Sequence, residues 1–369
     1  MKHWNIGKLS DLCILKRGYD LPIYAREQGN VPIYSSSGIS GYHNKSKCIS
    51  PGVITGRYGT IGTVFFAKDD FWPLNTTLFV ENFNGNDEKF IYYFLKTLEW
   101  EKYNDKSAVP GINRNDVHKE TIYYPDVKEQ KAIAAVLGSL DDKIDLLQRQ
   151  NATLEAMAET LFRQWFIEEA QEDWEEYPLS SFIEIIGGGT PKTSEESYWH
   201  GDILWMSGGD IASSHKSFIF DTDKKISSEG LENSSANLLP KFSTVIMARG
   251  TVGKICLLGE QAAFSQTNYG ILPRIAGTPF FTFLLMSDLL CYLKQSAYGS
   301  VFDTITRSTF EEIKFNCPTD NYIVNFENMI SPFFQKMFSN CRQIRTLEKL
   351  RDTLLPKLMS GEVRVRVDG

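Results

Sequence analysis

The chain has 369 residues, room for two or three domains with real cores, since one domain usually holds roughly 100–200 residues. Hydrophobic residues make up 42% and charged residues 23%, which excludes a disordered chain. No apolar run approaches the roughly 20 residues of a membrane helix, and MKHWNIGKLSDL is not a secretory start, so a cytoplasmic protein without membrane association is expected. The net charge of −7 divides into +1 for residues 1–127, −5 for 128–173, −6 for 174–320 and +3 for 321–369, which excludes a basic arm. Any DNA binding must come from local clusters on folded faces, or from partners that share the phosphate load.

In chain order, β-rich runs come first at 52–56 (GVITG), 63–67 (TVFFA) and 77–80 (TLFV), separated by Gly, Pro, Asn and Ser turns. A helix is predicted from Glu88 to Tyr103, then a strand-like YYP ends at Pro125 and a long helix follows. The later part repeats this order: runs at 243–248 (STVIMA) and 254–258 (KICLL), a helix from Thr278 to Ser296, FNC before Pro318, and a second long helix. The halves match at an offset of about 191–193 residues. Gly59-Thr60-Ile61-Gly62 corresponds to Gly250-Thr251-Val252-Gly253, LNTTLFV from Leu74 to QTNYGI around Thr267, and Ile112-Asn113-Arg114 to Ile305-Thr306-Arg307.

The strongest periodicity lies in the long helices. Ile133, Leu137, Leu140, Ile144, Leu147, Asn151, Leu154, Ala158, Leu161 and Trp165 fall at alternating steps of four and three, an a/d seam. Phe326, Ile330, Phe333, Met337, Asn340, Ile344, Leu347, Arg351, Leu354 and Leu358 repeat every step. Mutual pairing of helices from repeats related by an approximate two-fold axis is antiparallel. It sets Ile133 near Leu358, Leu137 near Leu354, Ile144 near Leu347, and Asn151 near Asn340. A paired asparagine fixes register where a lone buried amide would cost free energy; two separately solvated asparagines are the alternative. The expected fold class is α+β: two related mixed α/β domains with two long antiparallel coiled-coil helices in a pseudo-two-fold internal repeat. The boundaries read 1–127, 128–168, 169–320 and 321–369.

These residues carry a resemblance. Leu354-Leu355-Pro356-Lys357-Leu358-Met359-Ser360-Gly361-Glu362-Val363-Arg364-Val365, Leu161 to Phe166 (LFRQWF), Glu129-Gln130-Lys131-Ala132-Ile133, GGTPKT from Gly188 and ILWMSGGDI from Ile203 are similar to motifs of the specificity (S) subunits of type I restriction-modification systems. The resemblance covers essentially the whole chain. It implies two target recognition domains, each reading one half of a split double-stranded DNA site, and two methyltransferase (M) subunits around the helices. Restriction (R) subunits would join in the nuclease form. It further implies no catalytic centre and no cofactor in this chain, S-adenosylmethionine, ATP and Mg²⁺ belonging to the partners. Two departures stand out: Asn321-Tyr322-Ile323-Val324 replaces the acidic-Gln helix start, and Gly18-Tyr19-Asp20-Leu21-Pro22 replaces the GGTPK-like opening.

Base edges are read by polar side chains, and register on the backbone is set by Lys, Arg and amides. Candidates are Ser35, Ser36, Ser37, Tyr42, Lys45, Arg57, Tyr58 and Arg114 in the first domain, and Lys192, Ser207, Arg249, Asn268, Tyr298, Ser300 and Arg307 in the second. Solvated loops explain any one of them equally well, and a duplicated coiled-coil scaffold or decoy that binds only protein is the alternative function. Enzyme chemistry finds no support. Asp126 and Glu129-Gln130-Lys131 spell a nuclease-like PD…ExK, yet Glu129 opens a helix and the second copy lacks the pattern. No Walker loop, no Pro-Pro dipeptide of an amino-methyltransferase, and no metal or triad spacing among His3, His43, His118, His200 and His215 is present. The scattered Cys13, Cys48, Cys256, Cys291, Cys317 and Cys341 contain no CxxC and are expected to be reduced, buried thiols.

Overall fold

Gly59 and Gly62 have φ of +74° and +80°, and their counterparts Gly250 and Gly253 have +79° and +77°. Side chains rarely adopt this left-handed backbone, so the GTIG/GTVG repeat marks a turn that needs glycine twice in each half. The computed structural model containing these turns describes residues 4–104, 111–298, 304–317 and 319–366; Pro318 lies outside them. The chain divides into two compact units, residues 1–145 with 345–369, and residues 146–344.

In the first unit the main sheet is antiparallel, in the order Ile14–Arg17, Thr77–Asn82, Gly52–Gly56, Val64–Ala67. A small sheet joins Gly38–His43, Val31–Ser35 and Trp72–Pro73, the last two parallel. Asn5–Lys8 pairs with Thr121–Tyr124. The second unit repeats the scheme. Ile183–Gly187, Asn268–Pro273, Thr244–Met247 and Ile255–Leu258 take the same order, with Phe218–Ile219 added in parallel at the edge. Lys224–Ile226, Trp199–Met206 and Ala262–Phe264 form the small sheet, and Glu175–Pro178 pairs with Lys314–Cys317. The duplication read from the sequence is thus a duplication of topology.

The two helices predicted over 88–103 and 278–296 are each broken. The first ends at Lys96 before a 3₁₀ turn at Trp100–Tyr103, because Thr97 Oγ1 donates 2.8 Å to the Phe94 carbonyl and closes the last turn. The second splits into Pro279–Asp288 and Leu290–Tyr298. The long helices run over Val127–Arg163 and Asp320–Met359, so the boundary between units falls inside both. Within the first unit Ile133 and Leu137 share an apolar cluster with Leu354 and Leu358, and Asp141 accepts a 2.9 Å bond from Arg351. Within the second, Leu154, Leu161 and Trp165 share a cluster with Phe326, Ile330, Phe333 and Met337. Asn340 Nδ2 donates 2.8 Å to Asn151 Oδ1 and 2.9 Å to Gln150 Oε1. Leu140 and Leu347 are half-buried, while Ile144, Leu147 and Ile344 are buried. The buried stripe of the second helix is wider than a/d, since Phe334 and Phe338 are also buried and pack with the sheet side of their unit.

The nuclease-like Asp126 and Glu129 have structural partners. Asp126 Oδ1 accepts the Glu129 N–H at 2.9 Å and caps the helix. The Glu129 carboxylate is buried and takes the Arg364 guanidinium in a two-pronged pair, Nη2 at 2.6 Å, with the Trp4 indole N–H at 3.3 Å. Removing one partner leaves a buried charge poorly compensated. Arg364→Ala is therefore expected to lower the stability of the first unit by about 2 kcal/mol, Arg364 itself being partly exposed. A urea midpoint equal to that of the wild type would refute this role. The cysteine expectation needs one correction: Cys13, Cys256 and Cys317 are buried and Cys48 and Cys341 half-buried, but Cys291 faces solvent on its helix. Burial pushes the Cys13 and Cys256 thiols up to about 12.

Candidate nucleic-acid interface

In the first unit the glycine turn is stitched to two other segments. The Arg57 N–H donates to the Thr76 carbonyl at 2.9 Å, and the Ile112 N–H donates to the Arg57 carbonyl at 3.0 Å. The Leu15 N–H donates 2.8 Å to His118 Nε2, which fixes a neutral ring; burial and the nearby Arg114 charge hold that imidazole below its ordinary range. This bond ties the strand Ile14–Arg17 to the short helix Arg114–His118. The result is a cleft of about 670 Å³ whose wall brings together Lys16, Arg17, Arg57, Tyr58 and Arg114.

The cations are held in defined ways. The Arg57 guanidinium lies 4.3 Å from the centre of the Tyr58 ring, a stack that presents the charge while restricting its rotamers. Lys16 pairs with Glu81 and lies 5.9 Å over the Tyr19 ring. Arg17, Arg57 and Arg114 have no ion-pair partner among the described residues. A cleft with three arginines that have no ion pair among the described residues, one carboxylate (Asp20, which accepts an N–H of Asn75), two tyrosines and the amides of Asn113 and Asn115 suits a phosphate backbone with base edges beside it.

Three of the first-unit candidates therefore meet: Arg57, Tyr58 and Arg114. Ser35, Ser36 and Ser37 form the hairpin turn beside it; Ser36 abuts Gly56 and Gly59, and the Ser35 and Ser37 hydroxyls bond each other at 3.1 Å. Tyr42 and Lys45 are exposed farther along that hairpin and its following loop, and do not line the cleft. Lys16, Arg17, Tyr19, Asn113 and Asn115 were not among the DNA-contact candidates chosen from the sequence. Their signal was masked by the repeat, since the ladders place Lys16 and Arg17 where the second half has Ile186 and Gly187.

In the second unit the same stitches recur: Ala248 N–H to the Thr267 carbonyl at 3.0 Å and Ile305 N–H to the Ala248 carbonyl at 3.0 Å. Arg307, like Arg114, opens a short helix, and its Nη2 donates 3.2 Å to the Ile185 carbonyl. Lys192 and Arg249 are exposed. Two candidates are corrected. Asn268 is 1% exposed, with Nδ2 donating 2.8 Å to Ser265 Oγ, because its strand turns that side chain into the sheet core. Ser207 is half-buried and occupied as a helix cap: its hydroxyl donates 2.6 Å to Asp210 Oδ2, and the Asp210 carboxylate also accepts the Ser207 N–H at 2.8 Å. Ser300 and the Tyr298 side chain lie outside the described residues. Gly188 explains part of the GGTPK motif: a Cβ there would lie 2.2 Å from the Ser265 carbonyl oxygen, and at Gly18, 2.1 Å from that of Leu74. Both openings thus place a glycine at the same close approach, although their following residues differ. Among the described residues no cluster of three His, Cys, Asp or Glu could hold a metal ion, and no helix is long and apolar enough to cross a membrane.

Comparison with known proteins agrees with this duplicated plan. The type I restriction enzyme MjaIX specificity subunit of Methanocaldococcus jannaschii is 26% identical over 352 residues, covering 83% of this chain and 76% of that protein. The HindI specificity subunit of Haemophilus influenzae is 24% identical over 399 residues, covering 85% of each. The crystal structure of a type I restriction-modification S subunit from M. genitalium shares the fold at a TM-score of 0.67 and 19% identity, over 97% of this chain and 96% of that one. The family model described as "Type I restriction modification DNA specificity domain" matches residues 1–156 and again residues 171–338. With most of its length so matched, the chain belongs to the type I restriction modification DNA specificity domain family and carries that domain twice.

Proposed function

We propose that this chain is the specificity subunit of a cytoplasmic type I restriction-modification complex. It reads a split double-stranded DNA target with one domain per half-site and scaffolds two M subunits, with R subunits added in the nuclease form. The chain contributes recognition and no bond-making chemistry; S-adenosylmethionine, ATP and Mg²⁺ act on the partner subunits. The observation that carries this reading is the cationic cleft at the glycine turn, built on a corner that recurs with the same backbone hydrogen bonds in the second unit. Two similar readers in one chain suit a target with two specified halves and an unspecified spacer.

Co-expression with methyltransferase subunits, followed by mapping of methylated bases across the host DNA, tests it. A bipartite motif is expected, and exchanging residues 1–127 for those of a relative should change one half only. Absence of both complex and motif would overturn the reading and leave the protein-binding scaffold in its place.

A further inference from the structure

We infer that the two domains divide the electrostatics of DNA binding unequally, the first supplying most of the phosphate contacts and the second holding its half-site chiefly through uncharged groups. This rests on the specificity reading above. Four equivalences, fixed by shared backbone bonds and ladder register, carry it. Arg17 faces Leu78 as Gly187 faces Tyr269, and Lys16 faces Phe79 as Ile186 faces Gly270. Arg57 and Ala248 make the same two backbone bonds. Arg114 and Arg307 open the same short helix.

The corner with Lys16, Arg17, Arg57 and Arg114 in the first unit therefore has Ile186, Gly187, Ala248 and Arg307 in the second. Arg307 directs one guanidinium N–H to the Ile185 carbonyl, 3.2 Å away. Arg249, next to Ala248, restores one charge where the first unit has Tyr58, the exposed Lys192 adds a second four residues after Gly188, and Asp20 sets one carboxylate in the first cleft, so the imbalance is smaller than the four corner positions alone give. The wider surroundings follow the same sense, with net charges of +1 for residues 1–127 and −6 for 174–320. Each phosphate neutralised by Lys or Arg releases counterions, so the unequal corners should appear in the salt dependence of binding.

The test uses the chain assembled with its methyltransferase subunits and a duplex carrying the mapped motif, with affinity followed from about 50 to 200 mM salt. Arg17→Gln/Arg57→Gln/Arg114→Gln is expected to flatten the log–log salt slope by about 2–3, roughly 0.9 per lost contact, so that the wild-type advantage shrinks ~40-fold across that range. Arg249→Gln/Arg307→Gln should flatten it less than half as much. Whatever methylation remains in either variant should fall on the same motif, because phosphate contacts carry no sequence information. Flattening by the double variant of about two-thirds of the triple variant's or more, the sum for two full contacts, or none from the triple variant, overturns the inference while leaving the specificity reading intact. A wild-type complex that binds motif and scrambled duplex alike overturns both.

Discussion

Glu327→Gln is expected to remove a pH-dependent loss of stability from the second unit, and Glu327→Ala to destabilise that unit at every pH. Glu327 is 3% exposed, and its carboxylate accepts the N–H groups of Phe281 at 2.7 Å and Phe280 at 3.3 Å, together with the Ser331 hydroxyl at 3.3 Å. It thereby fastens the long helix Asp320–Met359 to the start of Pro279–Asp288. Burial pushes this carboxyl up to about 7, against the three hydrogen bonds that pull it down. An acid that titrates higher in the folded than in the unfolded chain favours folding when protonated. Its contribution is full below about 4.5 and disappears as pH rises through about 7. Between about pH 5 and 8.5 the wild type should lose on the order of 2–3 kcal/mol relative to Glu327→Gln, while Glu327→Ala forfeits two helix-end acceptors, about 2 kcal/mol. Urea unfolding across that range decides it, and parallel pH curves for wild type and Glu327→Gln would sink the argument.

Phe166→Ala should cost about 3–5 kcal/mol, the range for emptying an aromatic core position. The ring is 3% exposed and packs 5.0 Å from Phe326, 5.1 Å from Phe162 and 5.2 Å from Phe281, so one side chain joins three helical segments of the second unit. It sits in the π-turn Gln164–Glu168 that ends the first long helix. In the first unit the position at the same repeat offset is Met359, also buried, among Leu354, Leu355 and Leu358. The second unit solves with aromatics a packing problem the first solves with flexible aliphatics. Phe166→Met should then cost roughly 1 kcal/mol, as shape-tolerant swaps do. Calorimetry in which Phe166→Met melts as low as Phe166→Ala would show that the aromatic contacts themselves, not the filled volume, hold these segments together.

Much of this architecture was legible because it is written twice. The GTIG/GTVG turns, Arg114 with Arg307, and the strands at 52–56 and 244–247 each have a partner half a chain away, and repetition separates signal from coincidence. The same device concealed what is not repeated. Lys16 and Arg17 in the cleft have uncharged counterparts, and Gln130 has its counterpart one helical turn away. Gln130 Oε1 accepts the Asp87 N–H at 3.0 Å beside a short helix start, the fastening that Glu327 performs in the second half. The departure seen at Asn321 to Val324 is thus a displaced contact. Asn268 and Ser207 misled because a polar residue beside a glycine-rich stretch looks the same whether it faces solvent, turns into a sheet or caps a helix; only tertiary placement distinguishes them.

The interleaving of the two units along the chain has a consequence for biosynthesis. The first unit draws on residues 1–145 and 345–369, whereas the second is contiguous. Ribosomal synthesis delivers everything the second unit needs before the residues that complete the first have been made. Domains ordinarily mature in the order they emerge. Here the earlier-translated unit must wait, with Ile133 and Leu137 uncovered by Leu354 and Leu358 and Glu129 lacking Arg364, until the last stretch arrives. A released chain truncated at residue 344 should therefore resist protease in its second unit and be cut in its first.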